Sequence, residues 1–339
     1  MTDYSTTPVV VSLEELQSGA TDSLLPSAFG PDSLGVIIVT GLPKDFVSLR
    51  QKVLLSASDL AALPADKLAA MEHEPSFWCQ GWSRGREKLA NGVPDFNKGS
   101  FYANCAFHKD PQLEAPPKEE TVGYEDMHMY TAPNIWPQEE DLPQFQTNLK
   151  ALCNLIIDVA EHVARACDRY VAGHAKIDGY TAGYLEDVVR TSTTTKARLL
   201  HYFPMQQQQE QADTPDDAWC GTHKDHSCLT GLTSAMFLDG KTVLPKSPDP
   251  EAGLYIHNRH GKVVQVKIPA DALAFQTGSA LEAATHGEFK AVPHFVKGAN
   301  VAGVSRNTLA VFCQPSMHRQ LGSEGSFAEY STRILEGNH

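Results

Sequence analysis

The sequence has no apolar run near the roughly 20 residues that a membrane-spanning helix needs, so a helical membrane protein is not expected. It also lacks a basic excess: 28 Lys and Arg stand against 41 Asp and Glu, for a net charge of −13. Without surplus cations to neutralise phosphates, neither a nucleic-acid binder nor an anionic-membrane binder is expected. The start, "MTDYSTTPVVVSLEELQSG", does not show the basic-then-apolar order of a secretory signal. Cysteine is sparse and unpaired in pattern: seven residues, an odd number, scattered and without C-x-x-C. A disulfide framework is therefore not expected, and reduced thiols in the cytoplasm are. No internal repeat is present. With 339 residues, 42% hydrophobic and 20% charged, the chain is of globular type and long enough for a sizeable core.

What is present falls into two textures. The run "LGVIIVTGLP" predicts a buried strand over Val36–Thr40 that stops at Gly41 and Pro43. Apolar spacing at Leu49, Val53, Leu60 and Leu63 predicts a helix after it, and Pro64 starts another. Residues 75–135 are aromatic-, Gly- and Pro-rich, with a hairpin expected around Phe101 and Tyr102. The clearest helix lies in 142–171, where Phe145, Leu149, Leu152, Ile156, Val159, Val163 and Cys167 recur every three or four residues. Beyond about residue 195 the chain becomes a series of short β-type runs: "ARLLHYF", "CLTGL", "LYIHN", "KVVQVKI", "ALAFQ", "FKAVPHFV" and "TLAVFC". That spacing predicts a sandwich or barrel. The polar stretch 205–219 reads as a flexible loop and 239–253 as a Pro-rich surface loop.

The stretch "CGTHKDHSCLTG" at 220–231 carries an H-x-D pair. In extended chain His223 and Asp225 share one face and Lys224 takes the other. A third ligand has to come from a later strand, with His257, His260, His286, His294 and His318 as candidates. His294 is favoured because "FKAVPHFV" sets it in an apolar strand. His257, His260 and His286 read as turn residues, His226 as surface or outer-shell, and Cys220 and Cys228 as packing. Two histidines and a carboxylate leave open positions on a metal, which suits Fe(II) oxygenases; zinc is not excluded by the ligands alone. Arg306 and Thr308 in "SRNTLAVFCQP" again share a strand face. An inward guanidinium beside a hydroxyl suits a carboxylate ligand.

In this order the motifs resemble those of the Fe(II)/2-oxoglutarate-dependent dioxygenase superfamily, most closely its isopenicillin N synthase-like branch. "LGVIIVTGLP", "NIWPQEEDLPQF", "HYFP", "GTHKDHSCLTGL", "GEFKAVPHFV" and "RNTLAVFCQP" match that branch's successive motifs along nearly the whole chain. The resemblance implies a mainly β fold with flanking helices, a double-stranded β-helix (jelly-roll) core. It divides the chain into a mixed N-terminal region 1–140, a long helix and connection 141–195, the double-stranded β-helix 196–320 and a tail 321–339. It implies Fe(II) on His223, Asp225 and His294, and 2-oxoglutarate held at its distal carboxylate by Arg306 and Thr308, with O2 as the oxidant. The expected reaction is hydroxylation, desaturation or cyclisation at an unactivated C–H bond of a small molecule, in a monomer.

Two departures concern the co-substrate. His201 replaces the Asn of N-Y-Y-P, and Phe203 replaces its second Tyr, whose hydroxyl often reaches the co-substrate. Tyr202 is kept as a co-substrate candidate, although strand alternation is expected to turn it the other way. These departures keep open an oxidase that uses no 2-oxoglutarate. A non-catalytic metal protein or a zinc hydrolase, with Glu282 or Glu288 as base, is the other-class alternative. Trp78, Trp82, Phe101 and Tyr102 are candidates for the substrate pocket. Arg84, Arg86 and Lys98 are expected to be solvated.

Overall fold

In the strand Val36–Thr40 every residue but the last is buried. Alternation explains how one strand can be apolar on both faces. Ile37 and Val39 pack in a core shared with helices, and Val36 and Ile38 pack in a second core. The two cores are the two sides of one large sheet. The computed structural model describes residues 7–30, 32–87, 92–174, 180–204 and 220–337. The 205–219 segment, expected to be a flexible loop, lies outside the described residues.

The strands are β1 (Val9–Ser12), β2 (Val36–Thr40), β3 (Gly81–Arg84), β4 (Lys98–Asn104), β5 (Lys196–Tyr202), β6 (Cys220–His223) and β7 (Leu229–Thr233). They continue with β8 (Met236–Asp239), β9 (Thr242–Leu244), β10 (Gly253–His257), β11 (Val263–Val266), β12 (Leu273–Thr277), β13 (His294–Lys297) and β14 (Val304–Cys313). The larger sheet runs β1-β2-β12-β7-β14-β5-β4-β3, with β8 on β14 and β9 on β8; the smaller runs β11-β10-β13-β6. All the described pairings are antiparallel except β1 with β2. The two sheets enclose the second core, to which β10, β11 and β13 contribute Leu254, Ile256, Val264, Val266 and Val296. This is a jelly roll, mainly β with flanking helices.

The helix Phe145–His174 covers the outer face of the large sheet. Its stripe of Phe145, Leu149, Leu152, Ile156, Val163 and Cys167 is fully buried. Gly231 on β7 lets it approach: a Cβ there would lie 2.5 Å from Ile156 Cγ2. The helix Phe46–Ala61 packs on β5 and β14 beside it. No described helix is long and apolar enough to cross a membrane.

The hairpin expected around Phe101 and Tyr102 is present, as the antiparallel pair β3–β4 with Phe101 opposite Trp82 and Tyr102 opposite Gly81. Several other expectations need revision. The 239–253 stretch contains β9 and lines a cavity, so it is more than a surface loop. The C-terminal stretch holds a helix, Phe327–Gly337, whose buried Phe327 meets Tyr130 edge-on at 5.5 Å. Most consequentially, β2 and β4, from the N-terminal region, lie in the same sheet as the barrel strands.

Candidate metal centre and its cavity

His223 and His294 are direct cross-strand partners on β6 and β13. That register puts both imidazoles on one face, with ring centroids 4.3 Å apart. Asp225 does not continue the strand, because β6 ends at His223. The chain bends there instead, and the bend is held from two sides. The Asp225 carbonyl accepts from Ser279 N at 2.8 Å and Ser279 Oγ at 3.1 Å. Its carboxylate Oδ2 accepts from Thr230 Oγ1 and Gln276 Nε2, each at 2.6 Å. Gly278 leaves room for the bend, since a Cβ would lie 2.1 Å from the Ser227 carbonyl.

The remaining oxygen, Oδ1, lies 3.7 Å from Nε2 of His223 and 3.7 Å from Nε2 of His294. Each histidine Nδ1 donates to a backbone carbonyl, Gly221 at 2.8 Å and Val292 at 2.9 Å. Such bonds fix the tautomer and turn Nε2 towards the common centre. One ligand atom from each of the three residues lies within 4.8 Å of the others, a spacing a single ion can bridge. Burial works against ionising Asp225, but His294, His223, Thr230 and Gln276 outweigh it and hold its carboxyl below the usual range. Burial pushes His294 down, favouring the neutral, ligating imidazole. The donor set, nitrogen twice and carboxylate once on one side, fits a divalent metal with positions left open.

The triad faces a cavity of about 810 Å³ between the sheets. Arg306 and Thr308 on β14 line the same cavity, as does Tyr202. Arg306 is 5% exposed, and its Nε and Nη1 have no hydrogen-bond partner. Burial lowers its pKa, and its guanidinium lies 4.9 Å from the Tyr202 ring centre. No acidic residue pairs with it among the described residues. A buried cation left so demands an anion from outside the chain. The Thr308 hydroxyl instead donates to the Thr233 carbonyl at 3.3 Å. Arg306 is therefore the group with donors to spare.

Tyr202 does not face away. It pairs with Arg306 across β5 and β14 and lines the cavity, while Phe203 stacks edge-on against His201 at 4.5 Å under the Arg84 guanidinium. The hydroxyl missing at 203 is therefore on the outside. Cys220 is not simple packing: it lines the cavity with Sγ 3.8 Å from His223 Nδ1. Cys228 is buried in the core. His226 is half-buried outside the triad, and Lys224 is exposed near Glu282.

Of the other histidines, His257 lies on β10 rather than in a turn, and His318 packs on Tyr124. Glu282 is tied to Lys290 and the Ala291 amide, and Glu288 accepts from Tyr170. Neither glutamate lines the cavity, so neither is placed as a hydrolytic base. Trp78, Trp82, Phe101 and Tyr102 do not line it either. Phe101 packs on Trp136 and Phe145. Lys98, expected to be solvated, is buried between Asp95 and Glu87 at 2.7 and 3.0 Å. Arg86 pairs with Glu72 at 2.6 Å.

Sequence reasoning did not find Gln276, Thr230, Arg50 or Arg198. Gln276 carried a signal: an amide closing the apolar run "ALAFQ". Arg50 carried none, because only packing brings it from the helix Phe46–Ala61 to the Ser234 and Ala235 carbonyls at 2.7–3.1 Å.

No protein-family model matches the chain, and no curated protein is similar to it. Solved structures are similar. T7H of Neurospora crassa, crystallised with alpha-KG and thymine, is 19% identical, with a TM-score of 0.71 over 100% of this chain and 99% of that one. The dioxygenase for auxin oxidation in rice is 16% identical, with a TM-score of 0.59 over 98% and 96%. JOX2, crystallised with 2OG, Fe and JA, is 12% identical, with a TM-score of 0.63 over 97% and 85%. The chain shares the fold of these structures over 97–100% of its length.

Proposed function

We propose that the protein is an Fe(II)- and 2-oxoglutarate-dependent dioxygenase that oxidises an unactivated C–H bond of a small molecule. One observation carries this reading. A single cavity holds both the open side of a two-histidine, one-carboxylate cluster and a buried guanidinium with two unpartnered donor nitrogens and no acidic partner among the described residues. His223, Asp225 and His294 would hold the iron, and Arg306 the distal carboxylate of 2-oxoglutarate, with Tyr202 beneath it. Iron and 2-oxoglutarate together supply the oxidant, by coupling loss of CO2 from the oxo acid to use of O2.

The chain's own part is positional. Gly221 and Val292 carbonyls orient the imidazoles, and Thr230 and Gln276 fix which carboxylate oxygen faces the metal. The apolar walls at Leu200, Leu232, Val296 and Phe312 keep bulk water from the reacting bond. The oxidase alternative drew on the missing hydroxyl at 203, and Phe203 points away from the cavity. The neighbours crystallised with alpha-KG or 2OG favour the co-substrate reading. Within it, the order of the sequence motifs supports the isopenicillin N synthase-like branch, and the seven free cysteines support a reducing compartment such as the cytoplasm.

The test is equilibrium binding. Mn(II)-loaded wild-type protein should bind 2-oxoglutarate in calorimetry. Asp225→Ala should lose the metal, and Arg306→Gln should keep it while weakening 2-oxoglutarate at least tenfold. Unchanged 2-oxoglutarate affinity in Arg306→Gln overturns the assignment.

A further inference from the structure

Two arginines enter the cavity from the large sheet, and they differ in charge balance. Arg306 has no acidic partner among the described residues and keeps two unsatisfied donor nitrogens. Arg198, on β5, is neutralised. Its Nε and Nη2 donate to Ser100 Oγ at 3.0 and 2.9 Å, and Nη2 also donates to Glu87. Glu87 is shared with Lys98 at 3.0 Å, and Lys98 with Asp95 at 2.7 Å. Two cations thus meet two carboxylates, and the cluster carries no net charge. Burial works against Glu87 ionising, but Arg198 and Lys98 outweigh it and hold its pKa down at about 2, so the balance persists at neutral pH.

Strand register places this cluster beside the reacting centre. Phe312 pairs with Thr230, the residue that holds Asp225. Arg198 pairs with Ala310, the next inward position on β14, whereas Arg306 pairs with Tyr202 at the far end of β5. Arg198 Nη1 has no hydrogen bond among the described residues, and the wall around it is apolar, from Leu200, Leu232 and Ala310. An N–H in an apolar wall calls for an acceptor. The acceptor's charge is decided by Glu87. A carboxylate at Arg198 would lie next to Glu87, and the Arg198–Lys98–Glu87–Asp95 cluster itself holds no surplus cation to offset the repulsion. A carbonyl or hydroxyl oxygen satisfies the donor without adding charge.

We propose that Arg198 is a specificity-determining residue that selects a neutral substrate bearing a carbonyl or hydroxyl acceptor, and that Glu87 enforces this by cancelling its charge. The two arginines thereby divide the cavity: Arg306 takes the acid and Arg198 the neutral substrate. The inference rests on reading the cavity as an oxygenase site, and it goes further by excluding free carboxylic acids as substrates.

The test uses matched acid and amide probes on full-length protein loaded with Mn(II) and 2-oxoglutarate. Indole-3-acetamide and indole-3-acetate, phenylacetamide and phenylacetate, and thymine as a cyclic imide are titrated by calorimetry. Amides or thymine should bind at least tenfold more tightly than the acids. In Glu87→Gln, checked for folding by its thermal melt, the preference should shrink to within threefold because acids bind better. Equal or tighter acid binding in the wild type, no binding of any neutral probe, or an unchanged preference in Glu87→Gln overturns the proposal. The wild-type comparison decides even where the variant does not fold. If the wild type does not bind 2-oxoglutarate, the functional reading itself fails. If it binds 2-oxoglutarate and prefers acids, only this inference fails.

Discussion

Gln276 shows how much of a metal centre can rest on a residue that touches no metal. Its Nε2 holds Asp225 Oδ2 at 2.6 Å, and its own Oε1 is buried without a partner. Gln276→Leu therefore removes an orienting bond and, at the same time, an unsatisfied polar atom. We expect metal affinity to fall 10–100-fold, as for other outer-shell losses (roughly that range), while the melting temperature changes little. Chelator competition against a thermal melt separates the two effects; unchanged metal affinity would remove Gln276 from the site. The sequence named His223, Asp225, His294, Arg306 and Thr308 because spacing by two and apolar flanks are local signals. It misjudged Tyr202 and Cys220, whose facing is set by strand register and by the bend after His223.

Strand β5 carries two different tasks on one face. Arg198, Leu200 and Tyr202 along it line the cavity. The strand's first residue, Lys196, is buried, and its ammonium donates to the backbone carbonyls of Cys79 and Met129 and to the side-chain Oε1 of Gln80. It thereby ties the irregular N-terminal stretch to the sheet. Burial lowers its pKa from 10.5 to about 8. Between those values the unfolded chain binds the proton and the native state does not, so this group's contribution to stability rises with pH. Below pH 8 the cost of a charged buried amine is present in full. In Lys196→Met, the gain in unfolding free energy between pH 7.5 and 10 should be smaller than in wild type, by on the order of 1–3 kcal/mol. Urea unfolding at several pH values measures it, and parallel pH curves for the two proteins would refute it.

Across the whole molecule, N-terminal strands complete the barrel's larger sheet. β2 pairs with β12, and β4 pairs with β5, so N-terminal strands border the barrel strands on both sides of the larger sheet. The helix Phe145–His174 covers that sheet's outer face, from Ile156 against Gly231 onward. Residues 196–320 alone would expose two sheet edges and a broad apolar face. We expect that fragment to aggregate or to give a collapsed amide spectrum, and the full chain to unfold in one transition. A dispersed, stable spectrum from the fragment would show that the 196–320 boundary is a true domain boundary.

The sequence by itself determined the element types and the order of the motifs, because periods of 2 and 3.6 are written in neighbouring residues. It named two histidines, one aspartate and one arginine as the site residues, but it put Asp225 on the strand with His223, whereas β6 ends at His223 and a bend brings Asp225 in. It could not reach the two-sheet layering of β2, the burial of Lys98 or the C-terminal helix contact with Tyr130, which depend on partners far along the chain. Tertiary structure alone decided the charge state of the cavity. Arg198 and Arg306 are alike in sequence, two arginines at inward strand positions, and differ only in whether folding brings an acid to each: Glu87 reaches one, and among the described residues none reaches the other.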